Sequence, residues 1–207
     1  MLAAIIYVLL MILSIFGFAF LIIAPHGGLQ NYRRPYRLSI FMIITGTVLL
    51  MLKMILSPWV SLVLGLSLIN IGYAAFLYAV ARPERRILFA ALQGMSALIA
   101  AGFLIFQHLT TPCYVSLAAA VIPGHILFCL LNTVVFLSLP GRKHRWLAWA
   151  FGGCLVIKVY SLVDVLLDYS CVDTLLTDPV QSISATTIAA TLLAAHFWAM
   201  DVLRHRA

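Results

Sequence analysis

The residue of this sequence that most clearly indicates a chemical role is Lys158, which lies deep inside the apolar stretch from Arg145 to Asp168. At 1.5 Å per helical residue it lies roughly 18 Å from the start of that stretch. A charged side chain near the middle of a membrane is costly unless it faces an interior cavity or a partner. We therefore predict that Lys158 is the counter-ion of an anionic ligand or a member of a proton relay. A lysine that snorkels outward or stays neutral is the structural alternative.

Three further polar residues, Asn70, His125 and Thr191, are expected at the depth of Lys158 on other helices. Polar groups at one level indicate a shared polar layer, although such hydrogen bonds often serve packing alone. His125 follows Pro123, which should kink its helix and free backbone carbonyls that could accept the imidazole N–H. A packing histidine satisfied in this way is the alternative to a ligand-binding one.

A second polar stripe follows on the helix of Lys158, where Tyr160, Asp164 and Asp168 recur at intervals of four residues and share one face. This stripe could line a vestibule that opens outward, or its carboxylates could simply be solvated at a helix end. Asp164 lies six positions after Lys158, so the two side chains should point to different faces. We therefore expect no direct ion pair between them.

The cysteines divide into two pairs. Cys113 and Cys171 both fall in segments expected on the outer, oxidising side, so a disulfide between them is predicted; two free thiols are the alternative. Cys129 and Cys154 lie inside apolar stretches and are expected to be small buried hydrophobic residues.

No motif of a known catalytic or metal centre occurs. The sequence contains no His-Glu-x-x-His, Gly-x-Ser-x-Gly or Walker-type segment. The last apolar stretch has no lysine for a retinal linkage. We therefore expect no enzyme activity, no metal and no cofactor.

Seven apolar stretches must position these residues. With 64% hydrophobic and 9% charged residues among 207, the chain cannot cover its surface with polar groups, so lipid is the expected solvent. Each stretch is long enough to cross a bilayer, which takes about 20 residues. The predicted fold is an all-α seven-transmembrane-helix bundle in one domain, with helices at about 2–24, 36–56, 59–81, 86–107, 114–139, 145–168 and 180–203.

The distribution of basic residues predicts the orientation of this bundle. Eleven of the thirteen lysines and arginines fall in four short clusters that alternate with the apolar stretches: Arg33, Arg34 and Arg37; Arg82, Arg85 and Arg86; Arg142, Lys143 and Arg145; Arg204 and Arg206. Basic loops stay on the cytoplasmic side. The N-terminus is therefore predicted outside and the C-terminus in the cytoplasm. The net charge of +7 then reflects topology and contact with lipid headgroups, and no nucleic-acid partner is expected.

The third predicted helix and the loop after it, from Leu68 to Tyr73, Phe76 to Val80 and Arg82 to Arg86, resemble a known class of protein. They resemble bacterial membrane sensor modules that precede diguanylate cyclase (GGDEF) or histidine kinase domains. An early Trp59 in that helix and the basic turn before Arg145 fit the same pattern. The resemblance implies a bacterial inner-membrane location, no catalytic residues within the membrane, and output through a following cytoplasmic domain or a separate cytoplasmic protein.

These observations favour a sensory module that binds a small molecule or lipid from the outer side and passes a helix shift to the cytoplasm. The ligand-binding residues we expect are Lys158, His125, Asn70, Asp164, Tyr160 and Thr191. The alternatives are a small transporter that uses Lys158, His125 and Asp164, and a non-catalytic subunit of a membrane complex. A homodimer would suit a sensor, but no strong Gly-x-x-x-Gly face indicates one.

Overall fold

A computed structural model describes residues 30–52, 55–57, 59–110, 114–139 and 145–167, together with residues 191, 194, 195 and 198. The described residues are helical, which confirms the all-α prediction for this part of the chain. The first and most of the last predicted helices, with Cys113, Cys171 and Asp168, lie outside the described residues. The helices are α1 (Gln30–Met51), a π-helical segment (Trp59–Leu64) that leads into α2 (Gly65–Val80), α3 (Pro83–Thr110), α4 (Tyr114–Ser138) and α5 (Arg145–Leu167).

Two helices begin earlier than the sequence predicted. α1 begins at Gln30 instead of residue 36 and runs through Pro35, since a proline this near a helix start removes only one intrahelical hydrogen bond. α3 begins at Pro83 instead of residue 86, because proline suits the first turn, where its missing N–H is not needed. α4 also continues through Pro123 as one helix.

α1 and α2 pack antiparallel at backbone contact through small residues, a region we call the glycine seam. A Cβ atom built on Gly46 would lie 2.5 Å from the carbonyl oxygen of Gly65, and one on Gly72 would lie 3.0 Å from that of Ser39. Ser39 and Gly46 are seven residues apart, as are Gly65 and Gly72, so each pair lies on one face of its helix. Only residues without a bulky side chain allow the two backbones to approach this closely.

Aromatic rings form a continuous cluster between α2, α4 and α5, which we call the aromatic floor. Tyr73 of α2 stacks on Phe128 of α4 with ring centroids 3.9 Å apart. Phe128 meets Phe151 of α5 edge to face at 5.9 Å, and Phe151 stacks on Phe136 at 5.6 Å. Trp198 in the last segment packs edge-on against Phe136 at 4.9 Å, which ties that segment to the floor. All four phenylalanine and tyrosine rings are buried.

Apart from Lys158, the described basic residues lie at one end of the bundle, beyond the aromatic floor. Arg82 donates a hydrogen bond to the carbonyl oxygen of Ser138 at the end of α4. Arg86 lies over the ring of Tyr78, 5.0 Å from its centroid. Arg145 begins α5 directly after the end of α4. We call this the basic end.

Two of the described helical stretches, Pro83–Phe106 and Arg145–Asp164, are long and apolar enough to cross a membrane. Only 28% of the apolar window of the first and 33% of that of the second are buried inside the structure. Both helices therefore turn most of their apolar surface outward.

Candidate functional site

The centre of the bundle holds a hydrogen-bonded pair of amides that joins three helices. The Gln93 Nε2 group on α3 donates to Asn70 Oδ1 on α2 at 3.2 Å and to the carbonyl oxygen of Gly124 on α4 at 3.1 Å. Asn70 in turn donates to the carbonyl oxygen of Leu66 at 3.0 Å. Gln93 is 0% and Asn70 1% exposed. Amides this deeply buried must be paired, so these bonds fix the relative positions of α2, α3 and α4.

His125 comes directly after Gly124 and faces the same interior. Its ring meets Tyr73 edge-on, with centroids 5.6 Å apart. Both ring nitrogens are shielded from solvent, and neither has a hydrogen-bond partner. The prediction that a carbonyl freed by Pro123 would satisfy the imidazole is therefore wrong, because the ring turns toward Tyr73 instead of along the backbone of its own helix.

Lys158 on α5 also faces the interior and is only 4% exposed, so the outward-snorkelling alternative does not apply. Its ammonium group interacts electrostatically with the side chains of Cys129, Cys154 and His125. Among the described residues the two acidic side chains are Glu84 and Asp164, and neither forms an ion pair with it. A cation buried without an anion is unfavourable, which makes this the most unusual electrostatic feature of the described residues.

The two described cysteines flank Lys158 along the bundle. Both Cys129 and Cys154 are buried and free, as the sequence predicted. The thiol of Cys154 contacts the hydroxyl of Thr191 at 3.4 Å. Because Thr191 belongs to the last segment, this contact brings that segment to the helix that carries Lys158.

The structure brings together four of the six predicted site residues. Asn70, His125, Lys158 and Thr191 all lie in the interior, where we refer to them and Gln93 as the polar core. Tyr160 is 60% exposed and Asp164 is partly exposed, so both point away from the polar core. Their separation from Lys158 follows from the helical spacing that the sequence shows.

Sequence analysis did not include Gln93 among the candidate site residues. Its role follows from the packing of α3 against both α2 and α4, which the position of Gln93 within its own apolar stretch does not predict. Two more buried side chains, Asn132 and Ser161, were not among the candidate site residues either. Asn132 Nδ2 donates to the carbonyl oxygen of Phe128 at 2.8 Å.

Several buried polar atoms of this interior have no hydrogen-bond partner in the structure. These are Gln93 Oε1, Asn132 Oδ1, Ser161 Oγ and the two ring nitrogens of His125. Native interiors contain few such atoms, and each one calls for water or a ligand. Among the described residues, no three His, Cys, Asp or Glu side chains are grouped to bind a metal ion.

No protein-family model, no curated protein and no solved structure matches this chain. The function must therefore be argued from the contacts of the polar core itself.

Proposed function

We propose that the chain is a seven-helix membrane sensor, with its N-terminus outside, its C-terminus in the cytoplasm and a ligand site in the polar core. The apolar outer surface supports a lipid environment. Large side chains such as Leu98, Ile99 and Trp149 are exposed along α3 and α5, which a protein in water would bury. Surfaces of this kind are stable where lipid replaces water.

The basic end supports the proposed orientation. Arginines from the start of α3 and the start of α5 occupy the same end of the bundle as the carbonyl end of α4. Basic residues near helix ends favour the cytoplasmic side of a bacterial inner membrane. Asp164, near the opposite end of α5, would then lie toward the outside.

The unpaired, buried Lys158 is the observation that carries the proposal of a ligand site. Keeping this cation in the interior costs free energy, which a bound anion would offset. The neighbouring contact between Cys154 and Thr191 links Lys158 to the last segment of the chain. A ligand at Lys158 would therefore act on the junction between α5 and the segment that leads to the C-terminus.

The signal would travel as a shift between two helix arrangements. A ligand changes such an equilibrium only if it binds the two arrangements with different affinity. Trp198 lies against Phe136 in the aromatic floor, so a movement of the last segment would alter this contact. The output would be read at the basic end by a cytoplasmic domain or a separate protein.

The aromatic floor favours a sensor over a transporter. A transporter must open its site to both sides in turn. Here Phe76, Phe128, Phe136 and Phe151, each 0% exposed, lie between the polar core and the basic end. Asp164, the third residue of the transporter hypothesis, also points away from Lys158.

The test is a thermal-unfolding screen of the full chain in nanodiscs against anionic metabolites, neutral metabolites and lipids. We expect at least one compound to raise the midpoint of wild type and to leave Lys158→Ala unaffected. Gly153→Ala, on the same helix and with nothing within 4 Å of the added methyl group, should respond like wild type.

A helix shift is checked separately through the fluorescence of Trp198, in a chain whose other three tryptophans are replaced by phenylalanine. The same compound should change this fluorescence. If no compound changes the midpoint and Lys158→Ala unfolds like wild type, the sensor proposal fails and a non-catalytic subunit becomes the better hypothesis. If a compound binds and crosses the membrane in a liposome flux assay, the protein is a transporter.

A further inference from the structure

The polar core contains a cation, an N–H donor and an unpaired acceptor. Lys158 supplies an ammonium group and His125 at least one ring N–H, and these two side chains interact electrostatically. Gln93 Oε1 is an acceptor without a partner, fully buried, on the amide whose Nε2 already bonds to Asn70 and Gly124. Because His125 follows Gly124 directly, the acceptor and the donor side meet at the same turn of α4.

We propose that the polar core binds a small hydroxylated carboxylate, with the carboxylate at Lys158 and His125 and the hydroxyl donating to Gln93 Oε1. This inference rests on the proposed ligand site and adds the chemical class of its ligand. It uses three side chains on three different helices, α3, α4 and α5.

The charge of the ligand follows from Lys158. A cationic ligand would be repelled, and a neutral one would leave the buried ammonium group without a counter-charge. A carboxylate accepts hydrogen bonds from both an ammonium group and an imidazole N–H, and charge-assisted bonds of this type are the strong ones.

The unpaired Oε1 of Gln93 indicates that the ligand carries a hydroxyl group. A simple carboxylate has only acceptor oxygens, so it would place one acceptor against another at Gln93 Oε1. A ligand that also carries an O–H group satisfies this atom, and a buried acceptor left unpaired weakens binding.

The aromatic floor bounds the proposed site on one side. The stacked rings of Tyr73 and Phe128 and the neighbouring Phe151 lie between the amides of Asn70 and Gln93 and the basic end. The ligand would enter from the end of the bundle opposite to the basic end.

The test compares lactate with propionate and lactamide, using the thermal-unfolding midpoint of the full chain in nanodiscs. Propionate lacks the hydroxyl and lactamide lacks the charge, while all three have similar size. We expect lactate to bind about tenfold more tightly than propionate, the effect of one hydrogen bond. Lactamide should cause no shift. Lys158→Met should abolish the effect of lactate, and Gly153→Ala should retain it.

Each outcome decides one part of the inference. Equal shifts with lactate and propionate would overturn the role of Gln93 Oε1. A shift with lactamide as large as with lactate would overturn the anion site, as would a Lys158→Met variant that still responds to lactate. Absence of any shift with lactate and propionate would overturn the ligand class. The sensor proposal would survive that last result if a neutral or cationic metabolite, or a lipid, stabilised wild type in the wider screen.

Discussion

The glycine seam and the polar core hold helices together in opposite ways. In the seam, α1 and α2 meet at backbone distance through Gly46, Gly65 and Gly72, and the Thr47 hydroxyl bonds only to its own helix at Ile43. In the polar core, α2, α3 and α4 are joined by side-chain hydrogen bonds, and several polar atoms remain unpaired. The seam leaves one buried hydroxyl unpaired, that of Ser39, whereas the polar core combines unpaired atoms of Gln93 and His125 with a buried cation.

This difference between the two regions indicates which helices can move when a ligand binds. Close packing of rigid backbones is sensitive to any added volume but does not depend on small molecules. An interior with an unpaired cation and unpaired acceptors gains free energy when a ligand satisfies them. We therefore expect α1 and α2 to form a fixed frame, with movement confined to α5 and the last segment.

The largest loss of stability is expected for Gly46→Ala in the glycine seam. The added methyl group would lie 2.5 Å from the carbonyl oxygen of Gly65 and 2.7 Å from Ile69 Cγ1, so the helices must separate. We expect the free energy of unfolding to fall by about 2–3 kcal/mol, the cost of overpacking a well-filled interior. Equilibrium unfolding in mixed micelles measures this change.

The matched control is Gly102→Ala on α3, where nothing lies within 4 Å of the added methyl group. It should change the free energy of unfolding by no more than about 0.5 kcal/mol. A similar loss for both variants would mean that the glycines act through helix flexibility and that the seam is not closely packed.

The next largest effect should have the opposite sign and comes from the polar core. Lys158→Met keeps the length of the side chain but removes the unpaired cation. We expect the ligand-free protein to gain about 2 kcal/mol of unfolding free energy, because a charge near the centre of a helix in a membrane costs about that much. Thermal unfolding in nanodiscs without added ligand measures it.

Lys158→Arg serves as the control, because it keeps the charge and should not gain stability. A loss of stability in Lys158→Met would show that the ammonium group already has a favourable partner. That result would remove the electrostatic difference between the polar core and the glycine seam.

The sequence predicted much of the polar core but none of the glycine seam. Lys158, His125 and Asn70 stand out because each interrupts a long apolar run, and the lengths of those runs place them near mid-helix. Gln93 interrupts such a run too, yet its contacts depend on how α3 packs against α2 and α4, which no single apolar run predicts.

The seam was missed because its signal lies in the pairing of two helices. Gly46 and Ser39 on one helix, and Gly65 and Gly72 on the other, share the spacing of seven residues, but neither pair forms a Gly-x-x-x-Gly motif. Whether a glycine packs against a backbone or faces outward, as Gly102 does, is decided only when the helices meet. The unpaired nitrogens of His125 likewise depend on the position of Tyr73, which no spacing rule gives.

A smaller effect tests whether the hydrogen bond between Asn70 and Gln93 stabilises the polar core or whether the two amides are only buried next to each other. We expect a coupling energy of about 0.6 kcal/mol between Asn70 and Gln93, typical of a hydrogen bond between membrane helices. A double-mutant cycle with Asn70→Ala, Gln93→Ala and the double variant measures it through unfolding in micelles.

The same cycle with Asn70→Ala and Ser39→Ala gives the reference. Ser39 is buried on α1 at the seam and has no hydrogen-bond partner for its hydroxyl. Its coupling to Asn70 should be near zero. An Asn70–Gln93 coupling no larger than this reference would mean that the amides are merely buried side by side.

The smallest expected effect concerns the basic end, where charge meets a helix terminus. Arg82 donates to the last carbonyl of α4, while Arg85, three residues later, is exposed. A cation at a helix C-terminus contributes about 0.5 kcal/mol, so Arg82→Gln should lower the free energy of unfolding by about that amount and Arg85→Gln should leave it unchanged. Because the charge is exposed, added salt should shrink the difference between the two variants. Equal effects of the two variants that do not depend on salt would mean that Arg82 contributes through its backbone or its packing. The basic end, like the glycine seam, would then be stabilised by close packing and not by electrostatic attraction.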